Sequence, residues 1–330
     1  MTADFYFYFL VFNKFRMILE ILLILGGLIL LVVGAEGLVR GSSAIARRLG
    51  IAPLVIGLTI VAFGTGTPEL LVSLGAALDG NSSIAIGNVV GSNIGNIGLI
   101  LGVAAIVRPL IAGAEVIKRE IPIMIAATVL LWLLILDGEI GRVDGLILTL
   151  SCVAYTVFNY WQARRNKQKF VDEEFDEAMP MPTKSIWLEI GMLIIGLGVL
   201  LVGARLLLDG AVSIAEDLGI SQVVIGLTIV AIGTSLPELA TSAVAAYKNE
   251  PDVALGNVIG SNVMNILAIL GLTALILPIS TVDIRTFDMS VMLGSALLGL
   301  VLIWSGFVLN RIEGAILVIA YIIYIYSLLG

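Results

Sequence analysis

One motif occurs twice in the chain, 169 residues apart, inside otherwise matching sequence. Residues 64–70 read GTGTPEL, and residues 233–239 read GTSLPEL. The match continues without a gap from Gly34 to Pro109, and roughly half of the aligned positions are identical. The chain is therefore an internal duplication, and both copies must fold into the same kind of unit.

Each copy consists mainly of long apolar stretches. Hydrophobic residues make up 59% of the chain and charged residues only 13%, about half the charged share of a soluble domain. A helix that crosses a bilayer needs about 20 apolar residues. Ten stretches satisfy this requirement: 17–39, 51–78, 83–107, 119–137, 143–162, 186–208, 220–247, 253–277, 287–307 and 311–329. The sequence predicts an all-α integral membrane protein with ten transmembrane helices.

Five spans per copy is an odd number, so the second copy must enter the membrane in the opposite direction. The predicted loop after the first span is basic and the equivalent loop after the sixth is acidic, as Arg40, Arg47, Arg48, Asp209, Glu216 and Asp217 show. On one predicted side lie 13 of the 18 Lys and Arg residues, and the positive-inside rule assigns that side to the cytoplasm. Two inverted five-helix repeats are an architecture of secondary transporters.

This pattern predicts four segments. Residues 17–162 and 185–330 are the two five-helix repeats, and 163–184 is a cytoplasmic linker between them. Residues 1–16 form an N-terminal extension without the basic start and cleavage site of a signal peptide. We expect either that Met17 is the functional start or that the extension lies in the membrane interface. Both termini are predicted to lie outside.

The repeated motif places an acid beside a helix break. Pro68 and Pro237 lack an amide N–H, so the carbonyl four residues before each loses its helical partner. Glu69 and Glu238 follow directly. In lipid an unpaired carbonyl costs several kcal/mol, and a charge at mid-bilayer costs about 2.5–3.5 kcal/mol. A bound cation would relieve both penalties.

Further oxygen-bearing side chains surround the two acids in sequence. Hydroxyls come from Thr65, Thr234 and Ser235, and a second repeated motif (GNVVGSNIGN at 87–96, GNVIGSNVMN at 256–265) contributes Ser92, Asn96, Ser261 and Asn265. Oxygen ligands suit Na⁺, Ca²⁺ or Mg²⁺, and a flexible mixture of carboxylates and carbonyls favours Ca²⁺ over Mg²⁺. Interhelical hydrogen bonding alone would explain each Ser–Asn pair, but the duplication favours a cation site. Capping or interhelical bonding is predicted for Asn88, Asn93, Asn257 and Asn262.

The paired GTxxPE and GNxxGSNxxN motifs resemble the two alpha-repeats of the cation/calcium antiporter superfamily, and more closely those of prokaryotic sodium/calcium exchangers. The resemblance covers essentially the whole ten-span chain. It implies a sodium/calcium exchanger fold in which spans 2, 3, 7 and 8 form the ion core. Long, tilted spans 1 and 6 would slide over that core. It also implies location in the plasma membrane of a prokaryotic cell or in the inner membrane.

The resemblance further implies a ligand set. Glu69 and Glu238 would be the central ligands, shared by calcium and sodium. The other implied ligands are the side chains of Thr65, Thr234, Ser92, Ser261 and Ser235, the backbone carbonyls of Ala62 and Ala231, and Asn96 and Asn265 at the central position. Gly66 stands where members usually carry a serine. Asn265 stands where some relatives carry an aspartate, which argues against potassium co-transport.

Taken together, these features predict a secondary active antiporter rather than an enzyme, which exchanges sodium for calcium by alternating access. In the family three sodium ions exchange for one calcium. Two carboxylates neutralise one Ca²⁺ but leave a charge of +1 with three Na⁺, so such exchange would be electrogenic. Two alternatives stay open: a proton/calcium exchanger of the same fold and, less favoured, a passive cation channel.

The expected partners are calcium and sodium ions and the lipid bilayer. No prosthetic group is expected, and the absence of histidine argues against a transition-metal site. A net charge of −7 argues against binding to nucleic acid. A monomer is compatible with the sequence.

Overall fold

The computed structural model describes residues 3–165, 185–219 and 231–329. Within these ranges the chain forms twelve helices and four short strands. The first six helices are α1 Ala3–Leu49, α2 Pro53–Thr65, α3 Thr67–Leu78, α4 Ser82–Val107, α5 Val116–Asp137 and α6 Arg142–Arg165. The other six are α7 Ile186–Asp217, α8 Ala231–Thr234, α9 Leu236–Tyr247, α10 Pro251–Ile276, α11 Thr286–Trp304 and α12 Arg311–Leu329.

The described helices account for nine of the ten predicted spans. Eight single helices are long and apolar enough to cross a bilayer, and α2 with α3 forms a ninth, broken span bent by 45°. The predicted span at 220–247 begins outside the described residues, and α8 and α9 are its described remainder. Helices α4 and α10 lie at the centre, since most of their side chains are buried.

Helices α1 and α7 extend further than the sequence predicts. Helix α1 begins at Ala3 and ends at Leu49, so residues 3–16 continue the first helix and the predicted end at residue 39 is wrong. The part of α1 that is apolar enough to cross a membrane, Met17–Leu49, begins at the predicted residue. The charged residues assigned to the two equivalent loops lie in the C-terminal parts of these helices instead: Arg40, Arg47, Arg48, Asp209, Glu216 and Asp217. One reason is ion pairing, because Arg48 Nε donates to Glu189 Oε2 at 2.7 Å across the two helices.

Two pairs of antiparallel strands reveal the inversion of the copies. Strand β1 (Leu110–Ile111) pairs with β4 (Val308–Leu309), and β2 (Glu139–Ile140) pairs with β3 (Ile279–Ser280). In sequence β1 is equivalent to β3, because each follows the third span of its copy. In space β1 lies beside the connection between the last two spans, whereas β3 lies beside the connection between spans 4 and 5. Equivalent loops therefore face opposite sides of the membrane.

Helices α1 and α7 pack antiparallel along their length through glycines that recur every seven residues. A Cβ atom built on Gly27 would lie 2.7 Å from the Gly203 carbonyl oxygen, and one built on Gly203 would lie 2.8 Å from the Gly27 carbonyl oxygen. Only glycine permits so close an approach of two helix backbones. This glycine seam comprises Gly27, Gly34 and Gly41 of α1 and Gly196, Gly203 and Gly210 of α7. It joins α1 and α7 into one unit.

Candidate ion-binding site

Both repeated Pro-Glu motifs lie where a membrane-spanning helix is broken. Helix α2 ends before Gly66 (φ −75°, ψ 4°), and α8 ends before Ser235 (φ −91°, ψ 7°). A new helix starts after each break with proline in its first turn, as the sequence predicts. Glu69 and Glu238 therefore lie in the first turns of α3 and α9. The partial positive charge of a helix N-terminus stabilises a carboxylate there.

The two glutamates, one from each copy, are buried near each other. Each is only 1% exposed, and Glu238 is close enough to Glu69 for their charges to repel. Within the part of the chain that the structure describes, Glu69 Oε2 and both carboxylate oxygens of Glu238 have no hydrogen-bond partner. Buried charges without partners are strongly unfavourable. A cation between the two carboxylates would remove the repulsion and supply the missing partner.

Hydroxyl groups from two helices and from the α8–α9 break approach the acids. Ser235 Oγ donates to Glu69 Oε1 at 3.1 Å and also lies 3.3 Å from Ser92 Oγ. Thr65 lies near Glu238, but its hydroxyl donates to Asn257 Oδ1 at 3.2 Å. Thr65 Oγ1 also lies 3.5 Å from the Ala62 carbonyl oxygen. Predicted ligands from α2, α3, α4 and the α8–α9 break thus converge on one buried region.

Four asparagines form a symmetric network between α4 and α10. Asn93 Nδ2 donates to the Asn262 carbonyl at 3.2 Å, and Asn262 Nδ2 donates to the Asn93 carbonyl at 3.3 Å. Asn96 Nδ2 donates to Asn262 Oδ1 at 2.9 Å, and Asn265 Nδ2 donates to Asn93 Oδ1 at 3.0 Å. These bonds confirm the predicted interhelical role of Asn93 and Asn262.

The same network leaves two amide oxygens available. Asn96 Oδ1 and Asn265 Oδ1 are buried without a hydrogen-bond partner among the residues whose side chains are described. A short π-helical segment starts at each of these residues, over Asn96–Leu101 and Asn265–Leu270. Such π-turns are frequent at functional sites because they widen the helix locally. Both oxygens can therefore serve as cation ligands.

A second set of contacts holds the acid-bearing helices against α4 and α10. Asn88 Nδ2 donates to the Glu69 carbonyl at 3.1 Å and to Ser73 Oγ at 2.9 Å. The equivalent contacts in the second copy run from Asn257 Nδ2 to the Glu238 carbonyl at 3.3 Å and to Ser242 Oγ at 3.0 Å. The interhelical role predicted for Asn88 and Asn257 is confirmed. Sequence analysis missed both serines, although their 169-residue spacing is a usable signal.

The remaining predicted ligands occupy equivalent positions around this region. Ser261 is 1% exposed and its hydroxyl has no hydrogen-bond partner in the described ranges, and Thr234 is 5% exposed. Ala62 is fully buried in α2, and its equivalent Ala231 is the first residue of α8. No cluster of three or more acids or cysteines that could hold a metal occurs in the described ranges. The candidate site thus offers two carboxylates and a larger number of neutral oxygens.

This arrangement can be compared with known proteins. The model of the family described as sodium/calcium exchanger protein matches residues 19–161 and 188–330. The chain belongs to the sodium/calcium exchanger family. The two matched ranges correspond to the two copies of the duplication, and they confirm the resemblance that the paired motifs indicate.

Relatives and a solved structure extend this result. The sodium/calcium exchanger MaX1 of Methanosarcina acetivorans is 35% identical over 345 residues, covering 92% of this chain and 97% of that protein. The inner membrane protein YrbG of Escherichia coli is 38% identical over 297 residues, covering 87% of this chain and 90% of that protein. A structure of the sodium-calcium exchanger NCX_Mj matches with a TM-score of 0.82 at 36% identity, covering 94% of this chain and 99% of that one. The predicted exchanger fold, with ten transmembrane helices in two inverted repeats, is confirmed.

Proposed function

We propose that this protein exchanges sodium for calcium across the membrane by alternating access to the site centred on Glu69 and Glu238. The observation that carries the proposal is the set of buried oxygen atoms without partners between the two copies. Among the described side chains these are Glu69 Oε2, both carboxylate oxygens of Glu238, Ser261 Oγ, Asn96 Oδ1 and Asn265 Oδ1. Oxygen atoms collected in this way are the ligands of hard cations, and membership of the sodium/calcium exchanger family supports calcium and sodium as those cations.

In this proposal calcium lies between the two carboxylates. Sodium ions use the same carboxylates together with flanking hydroxyls and carbonyls. The flanking set comprises Thr65, Thr234, Ser92, Ser261 and Ser235, the carbonyls of Ala62 and Ala231, and the amide oxygens of Asn96 and Asn265. Calcium and sodium cannot share the carboxylates at the same time, so binding of one requires release of the other.

The expected stoichiometry of three sodium ions per calcium is the one that the family resemblance implies, and charge counting gives its electrical consequence. Two carboxylates neutralise one Ca²⁺, whereas three Na⁺ at the same site leave one positive charge. Three-to-one exchange would therefore move one net charge per cycle. A membrane potential would bias the cycle by about 2.3 kcal/mol per 100 mV.

The proposed topology follows the charge distribution. We infer that the two five-helix repeats at 17–162 and 185–330 lie in the plasma membrane, or inner membrane, of a prokaryotic cell. The linker at 163–184 is placed in the cytoplasm, because most basic residues lie on its side of the membrane. Both termini then lie outside. The relative YrbG is itself an inner membrane protein, in agreement with this placement.

Calcium uptake into sodium-loaded proteoliposomes tests the function directly. Radioactive calcium uptake is measured after dilution into sodium-free buffer at equal pH on both sides, with valinomycin and potassium used to set the voltage. We expect uptake that requires internal sodium and responds to voltage. Glu69→Gln and Glu238→Gln should abolish it, whereas Glu139→Gln, at an exposed acid remote from the site, should not. Wild-type uptake by either site variant would contradict the assignment.

A proton/calcium exchanger of the same fold is the second candidate. Protonation would also satisfy Glu238, whose carboxylate oxygens have no partner in the described part of the chain. In that case uptake would ignore internal sodium and follow an imposed pH gradient. Uptake that follows the calcium gradient alone, without either counter-ion, would instead indicate a passive cation channel.

A further inference from the structure

An ion pair outside the candidate site joins the α1–α7 unit to the helices that carry the acids. Lys248 Nζ, just after the end of α9, lies 2.7 Å from Glu36 Oε1 in α1. Glu36 also pairs with Arg40 one turn further along α1. Both Glu36 and Lys248 are about two-thirds buried, and α1 packs along α9 at this point. The pair therefore ties α1 to the end of α9 on the basic side of the membrane.

The equivalent positions in the other copy carry the same kind of pair with reversed signs. The 169-residue register matches Glu36 with Arg205 and Lys248 with Asp79. In the first pair the acid lies on α1 and the base lies just after α9. At the equivalent positions the base lies on α7 and the acid lies just after α3. Because the copies are inverted, Arg205 and Asp79 belong to the opposite side of the membrane. Their charges are complementary, so they are suited to pair with each other.

This second pair is not formed in the structure. Arg205 Nε bonds at 3.0 Å to Asp209 of its own helix, and the Arg205 side chain is 73% exposed. Asp79 is exposed and makes no side-chain hydrogen bond or ion pair with any described residue. Helix α7 also lacks, against α3, the packing that α1 has against α9. Among the described residues, the ion pair of the basic side is formed and its counterpart on the other side is not.

We propose that Glu36–Lys248 and Arg205–Asp79 are alternating gate pairs, each closing one side of the membrane in turn. The proposal rests on the alternating access of the proposed function. The glycine seam joins α1 to α7, so a shift that brings Arg205 to Asp79 also withdraws Glu36 from Lys248. Only one pair can then form at a time. None of the four residues belongs to the candidate ion-binding site.

The pairs set the balance between the two states without contributing to ion binding. A partly exposed ion pair shifts an equilibrium by up to roughly fivefold, the factor that corresponds to about 1 kcal/mol. Loss of the Glu36–Lys248 pair should therefore raise the population of the opposite state by up to about fivefold. Loss of Asp79 should shift the balance in the other direction.

Disulfide cross-linking tests this independently of transport. Asp79→Cys and Arg205→Cys are introduced together in a Cys152→Ser background, which removes the one native cysteine. We expect the two cysteines to cross-link in membranes under oxidation. Adding Lys248→Met should raise the cross-linking rate by up to about fivefold, whereas Lys118→Met, at an exposed lysine on the same side, should leave it unchanged. Failure to cross-link, or a rate indifferent to Lys248→Met, would overturn the proposal.

A charge swap provides the matching transport test. Asp79→Arg places like charges at the two positions and should slow exchange by up to about fivefold, and the double variant Asp79→Arg with Arg205→Asp should restore it. Glu139→Arg, the same charge reversal at an exposed acid on that side of the membrane, should have little effect. A swap that fails to restore exchange, in protein that elutes normally on size exclusion, would refute the pairing. Cross-linking needs no sodium gradient, so failure of the proposed function alone would leave that result intact.

Discussion

Replacing Gly66 by serine should strengthen sodium binding, because Gly66 breaks the symmetry of the ligand set. Its equivalent, Ser235, donates to Glu69 Oε1 at 3.1 Å and lies 3.3 Å from Ser92 Oγ. The residues that a hydroxyl at position 66 would reach by the same symmetry are Glu238 and Ser261. Those side chains have no hydrogen-bond partner in the described ranges. One half of the site therefore has a hydroxyl that the other half lacks.

The local geometry allows the serine. Gly66 has φ −75° and ψ 4°, which any L-residue adopts. A Cβ atom there would lie 3.1 Å from the Ala62 carbonyl oxygen, 3.8 Å from Asn265 Oδ1 and 3.9 Å from Ile269 Cδ1. The first contact requires a shift of a few tenths of an ångström, and the others are ordinary. An added hydroxyl that replaces water contributes about 0.5–1.5 kcal/mol, so sodium affinity should rise roughly two- to tenfold.

The assay is the sodium dependence of calcium exchange in proteoliposomes. Gly66→Ser should lower the sodium concentration for half-maximal exchange by roughly two- to tenfold. Ser235→Gly is the matched control, and it should raise that concentration because it removes the existing hydroxyl from Glu69. Unchanged sodium dependence in both variants, with normal calcium transport, would refute the reasoning that the two halves are unequal.

Three further changes test other parts of the structure. Arg48→Ala removes both of the Arg48 hydrogen bonds to the buried carboxylate of Glu189 and should lower the midpoint of thermal unfolding in detergent, because the carboxylate stays buried and loses this cationic partner. Adding Glu189→Gln should recover part of that loss, and a double variant no more stable than Arg48→Ala would contradict the reasoning. Asn262→Ala removes Asn262 Oδ1, which accepts a hydrogen bond from Asn96 Nδ2 at 2.9 Å and so orients the Asn96 amide. Calcium affinity, measured by equilibrium binding, should fall by roughly tenfold. Unchanged calcium affinity would contradict this orienting role. Burial raises the pKa of Glu250, which lies in the connection before α10, to about 7. Since this pKa exceeds the ordinary value of 4.5, the stabilisation from Glu250 is full below about pH 4.5 and is lost as pH rises through about 7. Glu250→Gln should therefore flatten the dependence of unfolding stability on pH between these values. A pH dependence identical to that of the wild type would contradict this role of Glu250.

Much of the architecture could be predicted because the duplication is visible in the sequence itself. An odd number of apolar stretches per copy requires inversion, and the strand pairs of the structure agree with it. The helix breaks at Gly66 and Ser235 follow from proline chemistry, which acts within one turn. Glu69 and Glu238 are identifiable because an acid inside an apolar span is expensive enough to require a function.

Contacts between distant helices were not predictable in the same way. The end of α1 was placed too early because its last ten residues look like a charged loop, whereas Arg48 is held by Glu189 of another helix. The bonds from Asn88 to Ser73 and to the Glu69 carbonyl depend on how α3 packs against α4. Local residue patterns describe periodicity and helix breaks, but not which helix face meets which.

The reciprocal bonds between Asn93 and Asn262 have the form of an isologous dimer interface, in which each side offers the other the same groups. Here both sides belong to one chain. In a homodimer any substitution would appear in both subunits, so a serine at the helix break of one subunit would require a serine at the helix break of the other. Fusion into a single chain removes that constraint. It permits glycine at position 66 opposite serine at 235, and an acid at 36 opposite a base at 205, so the two faces of the membrane can differ although the fold is symmetric.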